Sequence, residues 1–128
     1  MQLIASCLCG ANRFALEGAA QGIIACHCSQ CRKTSGHYAA SLDVAGIRWQ
    51  ARAAVGEYAS AGGGTRGFCT SCGSSLYFRA PDGAISVEAG AIDGPTGRKL
   101  SAHIYCANTG DYYRIPANET QFSGAGHV

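Results

Sequence analysis

The residues of this chain best placed to do chemistry are its cysteines, eight among 128 residues. Seven of them fall into three groups: Cys7-Leu8-Cys9-Gly10, Cys26-His27-Cys28-Ser29-Gln30-Cys31 and Cys69-Thr70-Ser71-Cys72-Gly73, while Cys106 stands alone. Clustered thiols in a chain without a secretory N-terminal pattern are metal ligands more often than halves of disulfides. Tetrahedral zinc takes thiolate sulfurs at about 2.3 Å, and a tight turn can aim two of them at one point. A glycine after the last cysteine accepts positive φ and leaves backbone amides free to hydrogen-bond the sulfurs. Cys7/Cys9 and Cys69/Cys72 both carry that glycine. These two half-sites are expected to close a structural four-thiolate zinc that clamps the N-terminal strand to the middle of the chain.

The middle group differs, because Cys26, Cys28 and Cys31 supply three ligands from one segment and bring no fourth. Three protein ligands and one open position is the arrangement of catalytic zinc, which acts as a Lewis acid or activates a bound nucleophile. The alternative is closure by Cys106, His103 or His37, which would make the second zinc structural as well. His27 lies between two ligands and points away from the metal if the segment is extended, since alternate side chains face opposite ways. Arg32 and Lys33 follow Cys31 and are candidates to offset the charge of three thiolates or to grip a carboxylate of a thiol substrate; their other reading is an exposed helix face. His37 is a candidate to line the substrate pocket. His103 is a proton carrier or, more simply, a strand histidine with its hydrogen bonds satisfied.

The elements that must hold these groups are short. A length of 128 residues fits one domain, 1–128, and 47% hydrophobic with 14% charged residues excludes general disorder. Strand character runs through 12–16, 23–27, 38–44, 75–79, 84–89, 103–105 and 112–115, several with period-two alternation such as Leu76/Phe78 against Tyr77/Arg79. Pro81-Asp82-Gly83 predicts a hairpin turn, with proline presetting φ and glycine accepting positive φ. The stretch 59–65, with three consecutive glycines, reads as a mobile loop. One short helix is expected over 29–36, with Ser29 as N-cap and Gly36 ending it. Trp49 reads as core, Phe68 and Tyr77 as apolar cover over the Cys69/Cys72 turn, and His127 as a solvated tail residue. The composition is therefore mostly β with one short helix.

Charge and hydropathy exclude some partners. The formal net charge of +2 counts every cysteine as a neutral thiol; seven thiolates on two zinc dications shift it to about −1. The ten basic residues form no block, so a nucleic-acid partner is not favoured. No segment approaches the ~20 apolar residues of a membrane span, and the first seven residues lack a basic leader region, so a cytoplasmic location is expected. Exposed strand edges leave a homodimer open.

The motifs Cys7-x-Cys9-Gly10, Cys26-His27-Cys28-Ser29-x-Cys31-Arg32-Lys33 with Gly36, Phe68-Cys69-x-x-Cys72-Gly73-Ser74 and His103-Ile104-Tyr105 resemble the glutathione-dependent formaldehyde-activating family, which includes centromere protein V-like domains. The resemblance runs over about residues 3–115 and leaves a tail, 116–128. It implies a β-tent fold of antiparallel sheets carrying two zinc ions, one structural on the first and third groups and one catalytic on the middle group. It also implies a carbon-sulfur lyase acting on a small thiol and an aldehyde: condensation of glutathione, or a related thiol, with formaldehyde to the S-hydroxymethyl adduct, or the reverse cleavage. Where family members carry a tryptophan near the C-terminal end, this chain has Tyr112-Tyr113, and Cys106 has no counterpart. Two other functions fit the cysteines: a binding module with two structural zincs, and a thiol redox sensor that joins Cys26 to Cys31 once the metal leaves.

Overall fold

The computed structural model describes residues 2–126, so Met1, Val128 and the tail residue His127 lie outside it. Among the described residues the strands are β1 Ile4–Ser6, β2 Asn12–Glu17, β3 Gly22–Cys26, β4 Ala39–Val44, β5 Gly46–Arg52, β6 Val55–Ala59, β7 Thr65–Cys69, β8 Ser75–Arg79, β9 Ile85–Glu88 and β10 Lys99–Ile104. A single α-helix, α1 Ser29–Ser35, joins β3 to β4. The fold is mostly β, as the alternation along the sequence predicts.

Three strands form one sheet in the order β1-β2-β5, and seven form the other in the order β10-β3-β4-β9-β8-β7-β6. The pairing is antiparallel except that β10 lies parallel to β3, which makes the larger sheet mixed where antiparallel sheets were expected. The reason is the connection 89–98, which carries the chain across the sheet after β9, so that β10 enters beside β3 in the same direction. The C-terminal tail then runs along β10: His103 N–H donates to Thr120 O, Phe122 N–H to His103 O, and Tyr105 N–H to Gly124 O, at 2.8–2.9 Å. That edge is covered by the chain's own tail, which removes one of the free edges through which a second copy could pair.

Side-chain alternation sorts the large sheet into two faces. Leu42, Val87 and Tyr77 lie on one row and face the small sheet, where Phe14 and Leu16 are buried against them. Phe14 takes Trp49 edge-on at 5.0 Å and Tyr77 at 6.4 Å, an arrangement that aligns ring edges with ring faces. Gly67 is required beneath Tyr77, because a Cβ there would lie 2.2 Å from the ring. The Tyr77 hydroxyl donates to Glu57 at 2.6 Å; with Arg79 this holds the Glu57 carboxyl below its usual range, while burial and Glu57 push the Tyr77 phenol up to about 12. The opposite face carries Ile24, Ser41, Glu88, Phe78 and Arg66 and is left for the site.

Several local expectations change. The hairpin at 80–84 is present, with Gly83 at φ 93° and Ala80 N–H donating to Ala84 O at 2.8 Å. The glycine-rich 60–64 stretch is a defined hairpin loop and not a free one: Ser60 N–H donates to Gly64 O at 2.7 Å, and β6 and β7 pair on either side. The predicted strand 112–115 is not formed; Tyr113 is instead drawn to a buried histidine, described below. The helix begins one residue earlier than its serine suggests, with Cys28 as N-cap, because the Cys28 sulfur itself accepts the Cys31 N–H at 3.3 Å. Gly36 ends it at φ 82°.

Candidate metal centres

The first and third cysteine groups meet at the join of the two sheets. Cys7 follows β1 and begins a turn closed by Gly10 N–H to Cys7 O, with Gly10 at φ 81°. Cys69 ends β7 and begins a matching turn closed by Gly73 N–H to Cys69 O, with Gly73 at φ 79°. The sulfurs of Cys7, Cys9, Cys69 and Cys72 all lie within 4.8 Å of one another. Cys7 to Cys9 is 3.6 Å and Cys9 to Cys69 is 3.7 Å. Four sulfurs at about 2.3 Å from a tetrahedral ion are about 3.8 Å apart, so this donor set fits zinc closely.

The sulfurs are supported by donors, as bound thiolates require. Asn12 N–H reaches Cys7 Sγ at 3.3 Å, and the amides of Ser71 and Cys72 reach Cys69 Sγ at 3.4 Å. The Ser74 hydroxyl lies 3.1 Å from Cys72 Sγ, and Ser74's side chain and backbone hold that thiol down to about 5. Asn12 has no exposed surface; its amide nitrogen also reaches Cys7 Sγ at 3.6 Å, and its Oδ1 accepts the Ala54 N–H at 2.9 Å. It escaped the sequence reading because an asparagine opening a strand carries no spacing signal. Asn12→Ala leaves the Ala54 N–H without a partner and takes away the side-chain donor to the Cys7 sulfur, which keeps only the backbone N–H of residue 12. The expected result is a loss of about 1–3 kcal/mol in denaturant unfolding, together with metal affinity weakened about 10–100-fold in a chelator competition.

The middle group sits where β3 becomes α1. Cys26 ends the strand, Cys28 caps the helix, and Cys31 lies in the first turn, with its three sulfurs also within 4.8 Å of one another. Hydrogen bonding with Cys26 and then burial push the Cys31 thiol far above its ordinary value when only protons are available. A cation would relieve that crowding, so this donor set also suits a thiophilic metal. Among the described residues no fourth histidine, cysteine or carboxylate joins the group.

The two histidines that could have closed the site are engaged elsewhere or turned outward. His27 is fully buried on the opposite face from Cys26 and Cys28, as alternation predicts. Its Nε2 lies 2.9 Å from His103 Nδ1, its Nδ1 2.8 Å from the Tyr113 hydroxyl, and His103 Nε2 2.6 Å from Glu119 Oε1. A carboxylate only accepts, so His103 Nε2 donates to it; the direction of the rest follows, with His27 donating to His103 and Tyr113 to His27. Burial, then His103 and His37, push His27 down to about 4, consistent with a neutral ring. Every nitrogen is used, and neither ring is free to bind metal. Tyr113 of the Tyr112-Tyr113 pair thus braces the segment that carries Cys26 and Cys28.

The open side of the middle group faces a cavity of about 520 Å³. Its wall includes Gln30, Arg66, Phe78, Glu88 and Tyr105 beside the three cysteines. Arg66 is held by Ser60 Oγ at 3.1 Å, Gln30 Oε1 at 3.0 Å and the Phe78 ring at 5.1 Å. Among the described residues it is the only cation in the wall, and it makes no ion pair with a carboxylate. Tyr105 stands at φ 55°, a costly backbone for a bulky residue of the kind found at functional sites.

Three residues expected at the substrate are placed elsewhere. Arg32 turns outward and its Nε donates to Asn108 O at 3.1 Å, Lys33 is exposed, and His37 is exposed against Tyr38 and Tyr113. None lines the cavity. The helical period is the cause: Cys31 faces inward, so the next two positions are carried round to the outer surface. Cys106 begins a 3-10 turn, its N–H bonded to Phe122 O, and is not part of either sulfur group. Sequence could not have found Arg66 or Glu88, which converge only through sheet pairing, whereas Gln30 lies within the middle cysteine motif itself.

The family model described as glutathione-dependent formaldehyde-activating enzyme matches residues 2–108. The fold is similar to that of a crystal structure of a Rhodobacter sphaeroides protein, with a TM-score of 0.58 and 22% sequence identity over 76% of this chain and 98% of that one. No curated protein matches the sequence.

Proposed function

The chain belongs to the glutathione-dependent formaldehyde-activating enzyme family, and from that premise we propose that it is a zinc-dependent carbon-sulfur lyase forming or cleaving the S-hydroxymethyl adduct of glutathione or a related small thiol. The observation that carries this reading is the group of three thiols, without a fourth protein ligand, in the wall of a cavity of about 520 Å³. Cys26, Cys28 and Cys31 would hold the second zinc, and Cys7, Cys9, Cys69 and Cys72 the structural one. Zinc bound there supplies a Lewis acid that draws a substrate thiol into its thiolate form.

The chain's own residues do the rest. Three thiolates leave a bound dication with a net charge of −1, and Arg66 presents the compensating positive charge on the same wall. Its guanidinium is already fixed by three contacts, so it can meet a substrate carboxylate without a large loss of side-chain freedom. Phe78 and Ile104 make the wall apolar and reduce access of water to the reacting carbon. Orientation of thiol and aldehyde within one small cavity supplies a further part of the rate.

The test is exchange NMR with ¹³C-formaldehyde and glutathione at catalytic protein concentration, with two zincs per chain verified by native mass spectrometry. Interconversion of free and adduct formaldehyde well above the spontaneous rate is expected. Exchange at only the spontaneous rate with both sites loaded would overturn the reading.

A further inference from the structure

Glu88 belongs to none of the cysteine motifs, yet it lines the same cavity as the three thiols. It closes β9 and pairs in register with Ser41 of β4, which in turn lies opposite Ile24 of β3, two residues before Cys26 on the same face. Two strand spacings, about 10 Å, therefore separate its backbone from the ligand strand. The small Ser41 side chain stands between them on that face and lines the same cavity, so Glu88 and the cysteines look onto one space across it. Among the described residues Glu88 makes no ion pair. A partly buried carboxyl that lines this cavity and makes no ion pair is a candidate for work on a substrate there.

Resting on the function proposed above, we infer that Glu88 is the general acid-base residue that carries the proton between the substrate sulfur and the carbonyl-derived oxygen. In the forward direction its carboxylate takes the thiol proton. The sulfur electron pair forms the new C–S bond, the carbonyl π pair moves onto oxygen, and Glu88 returns the same proton to that oxygen. In reverse it takes the hydroxyl proton, the C=O bond re-forms, the C–S pair leaves with sulfur, and the proton follows. The step is balanced and needs no oxidant or second proton source.

The surroundings suit that role. The charged and titratable groups that share a cavity with Glu88 are Arg66 on β7, Asp43 on β4, Tyr58 on β6, Tyr77 on β8, Tyr38 before β4, Tyr105 after β10, Asp93 after β9, the Cys7 thiol and the thiols of the middle group. Burial pushes the Glu88 carboxyl up to about 7, with Arg66 opposing the rise. A group near neutrality can both accept and return a proton at working pH. Asp43 shares the cavity but is exposed to solvent.

Glu88→Gln keeps the shape and removes the proton carrier. Expected is a fall of about 10²–10⁴-fold in exchange kcat/KM above the spontaneous rate, with zinc count and glutathione Kd unchanged. In the unsubstituted protein kcat/KM should rise as pH climbs through about 7, and that rise should be absent in the variant. A Glu88→Gln enzyme with full rate and the same pH profile overturns the inference while leaving the lyase reading intact; an inactive unsubstituted protein with both zincs bound overturns the reading first. If Glu88→Gln fails to fold, Glu88→Asp decides. A reduced rate that still rises with pH supports the role, and an unchanged rate in that shortened variant contradicts it.

Discussion

Stripping zinc from this protein with a strong chelator is expected to abolish its cooperative thermal transition, and Cys69→Ser is expected to do the same without a chelator. The four sulfurs come from a turn after β1 and a turn after β7, and so tie the small sheet to the large one. β1 has only three residues and pairs as a strand with β2, with a single bridge from Ala5 to Ile92, Asp93 N–H donating to Ile4 O and the Ser6 hydroxyl on Asp93 on its other side. Those hydrogen bonds are few, so the join rests on the four sulfurs together with the packing of Phe14 and Leu16 against Leu42, Val87 and Tyr77. Structural zinc sites supply about 10–16 kcal/mol of apparent binding energy, against a net stability of about 5–15 kcal/mol for an ordinary domain. Removing the ion therefore removes as much as the whole margin. Far-UV circular dichroism of the metal-free protein should show lost β signal; a melting curve that survives once mass spectrometry shows no zinc contradicts the structural assignment of Cys7, Cys9, Cys69 and Cys72.

The second large effect separates the two centres. Cys28→Ser should leave the fold standing and eliminate catalysis. Serine is among the best N-cap residues, and its oxygen can accept the Cys31 N–H that the Cys28 sulfur now accepts at 3.3 Å. The helix is thus preserved while one of three thiolates is lost. A Lewis-acid metal stabilises the transition state by several kcal/mol, which corresponds to about 10³-fold or more in rate. Native mass spectrometry should then count one zinc in place of two, the melting temperature should shift by only a few degrees, and exchange should fall to the spontaneous rate. Retained exchange with a single zinc would show that the middle group is not the reacting centre. The contrast with Cys69→Ser is the useful part, since either variant alone could be read as simple damage.

The grouping of the cysteines was legible because it is local. Two sulfurs in one turn need only a few residues and a glycine, so Cys7-x-Cys9-Gly10 and Cys69-x-x-Cys72-Gly73 carry their geometry in their spacing. The hairpin at Pro81-Asp82-Gly83 and the helix stop at Gly36 are legible for the same reason. Strands were harder. β6 and β7 contain glycine where close packing needs it, as Gly67 does beneath Tyr77, and such residues weaken the alternation on which a strand reading depends. The segment 112–115 erred the other way. Its aromatic residues resemble a strand, but Tyr113 is captured by His27 and the backbone has no strand to pair with.

Sequence by itself determined which cysteines group together, that the chain is mostly β, and that one group brings three thiols where the other brings four. Tertiary structure alone decided which groups surround the cavity beside the middle cysteines. Arg32, Lys33 and His37 are next to the ligands in the chain and face away from the cavity, while Arg66 and Glu88 are far away in the chain and face into it. The physical reason is that ligand spacing is fixed by one turn of backbone, whereas a cavity wall is assembled from alternate positions on several strands whose order and register depend on every other pairing in the sheet.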